Sequence, residues 1–223
     1  MKNYPDQLTR VPLFDGVDRG ELEELLDCLG ARVRTYQKGE MVFREGDPAG
    51  IIGVVLSGRV QVVKDDFNGR RSVVAAIGPA QLFGEAFACT GAETLPVSVR
   101  ADTDVSALLL DGGRITGACA MACSAHGVLV RNLLRIVAGK NLILNQKIEV
   151  MSQKTTREKL MAFLSAQAKE AGRDRVAIPF DRQGLADYLG VERSAMSAEI
   201  GKLRDLGYLE VRRNEFRRWK PYE

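Results

Sequence analysis

An uninterrupted helical pattern from about Ala125 to Met151 constrains the fold of this chain more than any other part of its sequence. The segment has no proline, and its apolar residues recur at spacings of 4-3-4-3-4-3, with Asn141 as the one polar member. The repeat consists of Val130, Leu134, Val137, Asn141, Leu144, Ile148 and Met151. Because a heptad repeat pairs two helices along one seam, and a lone Asn at an a position fixes the register of a parallel pair, the repeat predicts a homodimer.

A second apolar stripe on the same helix leaves another arrangement open. Leu129, Leu133, Ile136 and Ile143 form this stripe, which is expected to pack against the N-terminal part of the chain. Since apolar residues then lie on two faces, a helix buried on both sides within a monomer is the alternative to a homodimer. The regularity of the heptad seam favours the homodimer.

The part of the chain before this helix has the pattern of a β domain. A short amphipathic helix at residues 20–29 is followed, from Val33 to about Leu110, by short runs rich in β-branched residues and separated by Gly, Pro and Asp. Short strands with regular turns are typical of a barrel or a sandwich. Asn68-Gly69, between two of these runs, predicts a hairpin turn.

Residues 182–203 predict a helix-turn-helix. This motif needs a small residue that faces the second helix, a glycine in the turn, and an apolar stripe on the second helix. Ala186 and Gly190 occupy the first two places. The stripe consists of Met196, Ile200 and Leu203. Glu199 departs from the pattern, because an apolar residue usually stands there; we expect it to pair with Lys202 or with a group on the preceding helix.

A basic hairpin follows the motif. The segment YLEVRRNEFRRWK predicts two strands joined by a turn near Asn214. A hairpin rich in arginine is suited to phosphate contacts. From Ser152 onward, 15 Lys or Arg face 11 Asp or Glu, whereas residues 1–151 have 17 against 18. The basic excess therefore lies beside the predicted motif. The expected DNA contacts are Arg182, Gln183, Arg193, Ser194, Ser197, Arg213 and Arg217.

Several other function classes find no support in the sequence. GxSxG, HExxH, the Walker loop and GxGxxG are absent, so an enzyme is not expected. The apolar runs are too short to span a membrane, and the first ten residues have no apolar signal core. The chain is therefore expected in the cytoplasm, where its four cysteines would be reduced.

The order of these parts resembles the Crp/Fnr family of transcription regulators over nearly the whole chain. The resemblance is carried by GDPAGIIGVVLSGRV (46–60), LFGEAF (82–87), VRADTDV (99–105), TTREKL (155–160) and the motif at 182–203. It implies an α+β fold, with a β-roll of the cyclic-nucleotide-binding type in residues 1–126. A dimerisation helix in residues 127–152 and a winged helix-turn-helix in residues 153–223 complete the implied organisation.

The resemblance also implies partners. A two-fold dimer is expected to bind double-stranded DNA at a pseudo-palindromic operator. RNA polymerase would be a further partner if the protein is an activator. A small-molecule effector would control DNA binding through the sensor domain.

The family's ligand pocket does not carry the residues that cyclic AMP needs. In members that bind cyclic AMP, an Arg-Ser pair precedes the strand that matches VSVRA, and its arginine neutralises the phosphate; here Leu95 and Pro96 stand in these places. An anionic phosphate without its cation is poorly bound. We therefore expect a less charged effector. Its candidate pocket consists of Gly84 and Glu85 from the ribose-binding part, Leu95, Pro96, and Leu142 and Ile143 where the base would be contacted.

Haem and an iron–sulfur cluster are not expected either. The oxygen-sensing branch of the family holds its cluster by cysteines near the N-terminus, whereas no cysteine precedes Cys28. The haem-binding branch uses a histidine of the β-roll. The single histidine of this chain, His126, lies near the start of the long helix instead.

A group of cysteines near this histidine leaves three interpretations open. Cys119, Cys123 and His126 would share one face of a helix, and Cys89 lies in the loop after Gly84-Glu85. Together they could bind zinc, or Cys89 could form a redox disulfide with Cys119 or Cys123. Ordinary packing is favoured, because cysteine is commonly buried as a small apolar side chain. The alternative function is thus a thiol-redox- or metal-responsive regulator.

Overall fold

The computed structural model describes residues 5–65, 71–117, 124–178, 180–212 and 215–218. The chain divides into two compact units, Met1–Gly139 and Lys140–Glu223, and each unit has its own hydrophobic core. Among the described residues, no helix combines the length and the apolar character needed to cross a bilayer.

Two antiparallel four-stranded sheets form the first unit. Their strands are β1 (Arg32–Tyr36), β2 (Met41–Phe43), β3 (Ile51–Ser57), β4 (Val60–Asp65), β5 (Arg71–Ile77), β6 (Leu82–Phe83), β7 (Ser98–Ala101) and β8 (Val105–Asp111). One sheet has the order β1-β8-β3-β6 and the other the order β2-β7-β4-β5. Buried residues of both sheets, such as Val55 and Val99, share one core. The predicted β-roll is confirmed.

The predicted hairpin is also present, since β4 and β5 pair from Val60–Ile77 to Asp65–Arg71. Asn68 and Gly69, which the sequence places in its turn, lie outside the described residues.

Helices cover one face of the first sheet. They are α1 (Pro5–Leu8), a 3-10 turn (Pro12–Phe14), α2 (Arg19–Cys28), α3 (Glu85–Ala88), α4 (Gly112–Thr116) and the first part of α5 (Ser124–Met151). Leu25 of α2 and Leu129 of α5 are buried in the same core as Leu108 of β8. Asn132 is also buried, and its Nδ2 donates to the carbonyl oxygens of Leu13 (3.1 Å) and Asp15 (2.7 Å). These contacts fix the start of α5 on the roll.

The second apolar stripe of α5 is buried only at its N-terminal end. Leu129 and Leu133 lie in the core of the first unit, and Ile136 packs against it. Ile143 was expected on the same stripe, but its side chain is 64% exposed. The buried stripe therefore ends at Ile136, before the boundary of the first unit at Gly139.

The second unit contains the remaining part of α5 and a helical domain with a small sheet. Its further elements are α6 (Thr156–Ala171), β9 (Arg175–Ala177), α7 (Arg182–Leu189), α8 (Arg193–Asp205), β10 (Leu209–Arg212) and β11 (Glu215–Arg218), and the sheet order is β10-β11-β9. α6 begins with a capping box: the Glu158 amide donates to Thr155 Oγ1 (3.1 Å), and the Thr155 amide donates to Glu158 Oε2 (2.9 Å). α6 ends at Gly172, which adopts a left-handed conformation.

Candidate nucleic-acid interface

The helix-turn-helix forms as the sequence predicts. Asp181 caps the N-terminus of α7, and its side chain accepts a hydrogen bond from the Gly184 amide at 2.7 Å. The buried side chains between the helices are Leu185, Ala186, Leu189, Met196, Ile200 and Leu203. Because Ala186 is small, α8 can cross close to α7. The apolar spacing read from the sequence thus sets which face of α8 points into the core.

Gly190 makes the turn between the two helices. Its φ is +60°, a conformation that costs any residue with a Cβ roughly 1–2 kcal/mol. A Cβ here would also stand 2.8 Å from Cε of Met151, at the end of α5. The left-handed conformation explains why glycine is needed at this position, since the flexible end of the Met151 side chain could shift away from a Cβ.

The first turn and outer face of α8 are open to solvent. Arg193, Ser194 and Ser197 are exposed, and so is Ala198 on the same side. Arg193 therefore offers a guanidinium to a ligand, and the two hydroxyls offer donors and acceptors beside it. This is the surface that the sequence predicts to contact base edges.

The other two predicted contacts on α7 are engaged within the chain. The guanidinium of Arg182 lies over the Phe216 ring, 5.0 Å from its centroid, and burial lowers the Arg182 pKa. Gln183 Nε2 donates to Asp187 Oδ1 at 2.8 Å. Arg182 thereby joins α7 to β11, a stacking contact that no local sequence pattern indicates.

The wing is the antiparallel hairpin of β10 and β11, and the arginines on it and on the neighbouring strand β9 have acidic partners. Arg217 Nε lies 3.3 Å from Asp174 Oδ2, and Arg175 Nη2 lies 3.2 Å from Glu215 Oε2. All four side chains are at least 40% exposed, so these ion pairs are weak and can open for a phosphate. Arg213, a further predicted contact, lies outside the described residues.

Glu199 has one partner that the sequence predicted and one that it did not. Its Oε1 accepts from Lys202 Nζ at 2.7 Å, which confirms the expected pair. Its Oε2 accepts from Arg157 Nε at 2.8 Å, so the second partner lies on α6 and not on α7. The hydrogen bonds from Lys202 and Arg157 lower the pKa of Glu199.

The last turns of α5 pack on the same motif. Lys147 Nζ lies 5.2 Å from the centroid of the Tyr188 ring, and Tyr188 also contacts Phe163 of α6 at 5.2 Å between centroids. Val150 is buried in the core of the second unit. The end of α5 is therefore part of the structure that holds α7 and α8.

In the first unit, the candidate effector residues have contrasting environments. Gly84 has a φ of +81°, and a Cβ there would stand 2.7 Å from the Ile51 carbonyl oxygen. Glu85, which follows, is buried. Leu95 is buried in the core between the two sheets, and Pro96 is exposed. The place expected for a phosphate-binding arginine is thus filled by an apolar core side chain.

Arg100 does not replace the missing cation. Its neighbours Val99 and Ala101 both belong to the core between the sheets, so Arg100 points to the opposite face of β7. There its Nη2 donates to Gln61 Oε1 at 3.3 Å.

The remaining candidates for the effector pocket, Leu142 and Ile143, lie on the part of α5 that belongs to the second unit, and both are exposed.

The structure describes part of the cysteine and histidine group. Cys89 is exposed as a residue, and partial desolvation of its thiol together with the charge of Glu85 raises its pKa. His126 is buried, with Nε2 2.9 Å from the Ile115 carbonyl oxygen. Cys119 and Cys123 lie outside the described residues. Within the part of the chain that is described, no three His, Cys, Asp or Glu side chains are placed to hold a metal ion.

Two family models match this chain. Residues 33–121 match the cyclic nucleotide-binding domain, and residues 158–219 match the Crp-like helix-turn-helix domain. These ranges contain the β-roll and the α7–α8 motif, respectively.

Similar proteins extend over most of the chain. The transcriptional activator protein FnrA of Stutzerimonas stutzeri is 26% identical over 199 residues, which cover 87% of this chain and 79% of that protein. The CRP-like cAMP-activated global transcriptional regulator of Mycobacterium tuberculosis is 23% identical over 206 residues, which cover 92% and 90%. The crystal structure of the Thermus thermophilus catabolite activator protein has a TM-score of 0.53 at 21% identity and covers 93% of each chain. That structure shows the same fold.

Proposed function

We propose that this chain, which belongs to the Crp/Fnr family of transcription regulators, binds a pseudo-palindromic DNA operator as a homodimer and responds to a small-molecule effector other than cyclic AMP. The family consists of regulators rather than enzymes, as the sequence led us to expect. Residues 1–126 would form the sensor, residues 127–152 the dimerisation helix and residues 153–223 the DNA-binding domain. If the protein activates transcription, RNA polymerase is a further partner.

The observation that carries the proposal is the exposed start of α8. Its three core residues are buried, while Arg193, Ser194 and Ser197 face solvent at the N-terminal end of the helix. This is the end of a recognition helix that meets base edges in the major groove. Arg217 of the wing and Arg182 beside it would contact the flanking phosphates.

The homodimer is supported by the exposed seam of α5. Leu134, Leu144 and Ile148 are 57–65% exposed, although a helix of a monomer would normally bury such residues. Asn141 Oδ1 accepts from Asn145 Nδ2 at 2.8 Å, which leaves the Asn141 amide protons available to a second copy across the seam. Two parallel helices would therefore cover the apolar side chains and satisfy the polar position in register.

The proposed effector is small and carries less charge than a cyclic nucleotide. Leu95 fills the core at the phosphate position, and Arg100 points away from it, so the described part of the roll offers no cation to a phosphate there.

A thiol-based or metal-based response is the second candidate. Its support is the exposure of Cys89, while the raised pKa of this thiol works against it, because the thiolate is the reactive form. A change of more than twofold in operator affinity after treatment with peroxide or a chelator would favour this candidate over a small-molecule effector.

Selection of DNA sites from a random pool tests the proposal. We expect a two-fold symmetric consensus with half-site centres roughly 34 Å apart, bound by two copies of the chain. A pool without enrichment, or a consensus bound by one copy, would contradict it. Thermal-shift screening of small molecules and native mass spectrometry on the same sample would then identify the effector.

A further inference from the structure

The geometry points to Glu199 as a positioning residue for operator recognition: its carboxylate, held between Arg157 of α6 and Lys202 of α8, sets how α8 presents its outer face to DNA. This inference rests on the proposed function, since it assigns a role in sequence discrimination to a residue that does not contact DNA.

Glu199 is set apart from the other charges of α8 by its environment. Its side chain is 18% exposed, whereas those of Lys202, Arg204 and Asp205 are 60–70% exposed. A carboxylate that is partly removed from solvent is stabilised by charged partners, because they offset its desolvation. Glu199 is therefore not an ordinary solvated charge on a helix surface.

Both carboxylate oxygens are used, and they connect two helices. Oε2 accepts from Arg157 near the start of α6, and Oε1 accepts from Lys202 one turn further along α8. Since both bonds are charge-assisted, they are stronger and more directional than bonds between neutral groups. A further side-chain hydrogen bond joins α6 to the motif, from Lys159 Nζ to the Leu189 carbonyl oxygen at 3.4 Å.

The bridge that Glu199 forms with Arg157 and Lys202 lies on the side of α8 opposite to the face that we expect to contact DNA bases. At 100° per residue, Glu199 is about 200° around the helix from Ser197, so that it acts from the side opposite to the exposed hydroxyl. From this side it cannot reach a base. It can restrain rotation of α8 about its own axis, and contacts between side chains and base edges require placement within about 0.5 Å.

Glutamine is the informative replacement because it has nearly the same shape. Its amide has one acceptor oxygen and one NH2 donor group, so it can accept from one cation and must turn the NH2 group toward the other. The Glu199→Gln variant therefore breaks the bridge while it keeps the packing. It also removes one negative charge, so the net charge of this domain rises by one. This change strengthens binding to any DNA sequence.

The test measures the affinity of the full-length chain for the selected operator and for a scrambled duplex at several salt concentrations. For Glu199→Gln we expect operator affinity to fall about five- to tenfold, the size of one lost hydrogen bond of typical strength, while affinity for scrambled DNA stays equal or rises. Arg157→Gln should lower discrimination in the same way, and the double variant should lose little more than either single variant.

Asp205→Asn is the matched control. It also removes one negative charge from α8, where Asp205 pairs with its neighbour Arg204 at 3.1 Å, but it breaks no link to another helix. We expect it to change the affinities for both duplexes alike. Thermal unfolding of every variant separates a loss of stability from a loss of discrimination.

Two results would overturn the inference. The first is that Glu199→Gln keeps the ratio of operator affinity to scrambled-duplex affinity within twofold of the wild-type ratio. The other is a parallel loss on both duplexes with a lowered melting temperature, which would show a role in stability alone. Wild-type protein that does not distinguish the two duplexes would instead refute the proposed function itself.

Discussion

Replacing Leu144 and Ile148 by glutamate should convert the homodimer into monomers. Both residues belong to the heptad seam of α5, and within one chain they are 57% and 58% exposed. Because they contribute little to the core of either unit, the two substitutions should leave the fold of the monomer intact. Val137 is less suitable, since it packs against the core of the first unit.

The size of the effect follows from these exposed fractions. Complete burial of a Leu or Ile side chain stabilises by about 1.5–3 kcal/mol, and about half of each side chain remains to be covered by a partner, which gives about 1–1.5 kcal/mol per residue. A two-fold dimer loses this contribution at four side chains. The dissociation constant should therefore rise by roughly three to four orders of magnitude, before the cost of bringing carboxylates together is added.

Sedimentation velocity at micromolar concentration is the assay. We expect the wild type to sediment as a dimer and the Leu144→Glu, Ile148→Glu variant as a monomer with an unchanged circular-dichroism spectrum. Leu142→Glu is the control, because Leu142 is 70% exposed on the same helix but lies outside the seam. A monomeric wild type would refute the reasoning, and so would a double variant that stays dimeric.

Three further results are expected. Titration calorimetry should detect no micromolar binding of cyclic AMP, because the position that we assign to the phosphate-binding cation is Leu95, a buried apolar residue. Arg217→Ala should weaken binding to all DNA sequences alike and lower the salt slope by about one, whereas a sequence-dependent loss would show that Arg217 reads bases. Gly190→Ala should cost roughly 1–2 kcal/mol in urea unfolding because of its φ of +60°, and an unchanged midpoint would contradict this.

Periodicity explains why so much of the fold was predictable from the sequence. The 4-3 spacing of Met196, Ile200 and Leu203 and the glycine at position 190 determine the geometry of the α7–α8 motif locally, within about 20 residues. The capping box of Thr155 and Glu158 is likewise a short-range feature. Such patterns need no knowledge of distant parts of the chain.

Contacts between distant residues were not predictable in this way. The partner of Glu199 on α6 is 42 residues away in sequence, and the ring under Arg182 belongs to the wing. The exposure of Ile143 depends on where the roll stops covering α5, which helical spacing does not reveal. Each of these features depends on tertiary packing and not on local pattern.

Selection of DNA sites with the wild type and with Arg193→Ala tests the central claim most directly. Arginine most often makes paired hydrogen bonds to guanine, so each half-site of the wild-type consensus should contain a G that Arg193 contacts. Arg193→Ala should lose preference at that one base pair, at a cost of about 1–3 kcal/mol per half-site, and keep the rest of the consensus. An unchanged consensus in Arg193→Ala would show that α8 does not read the operator through this residue.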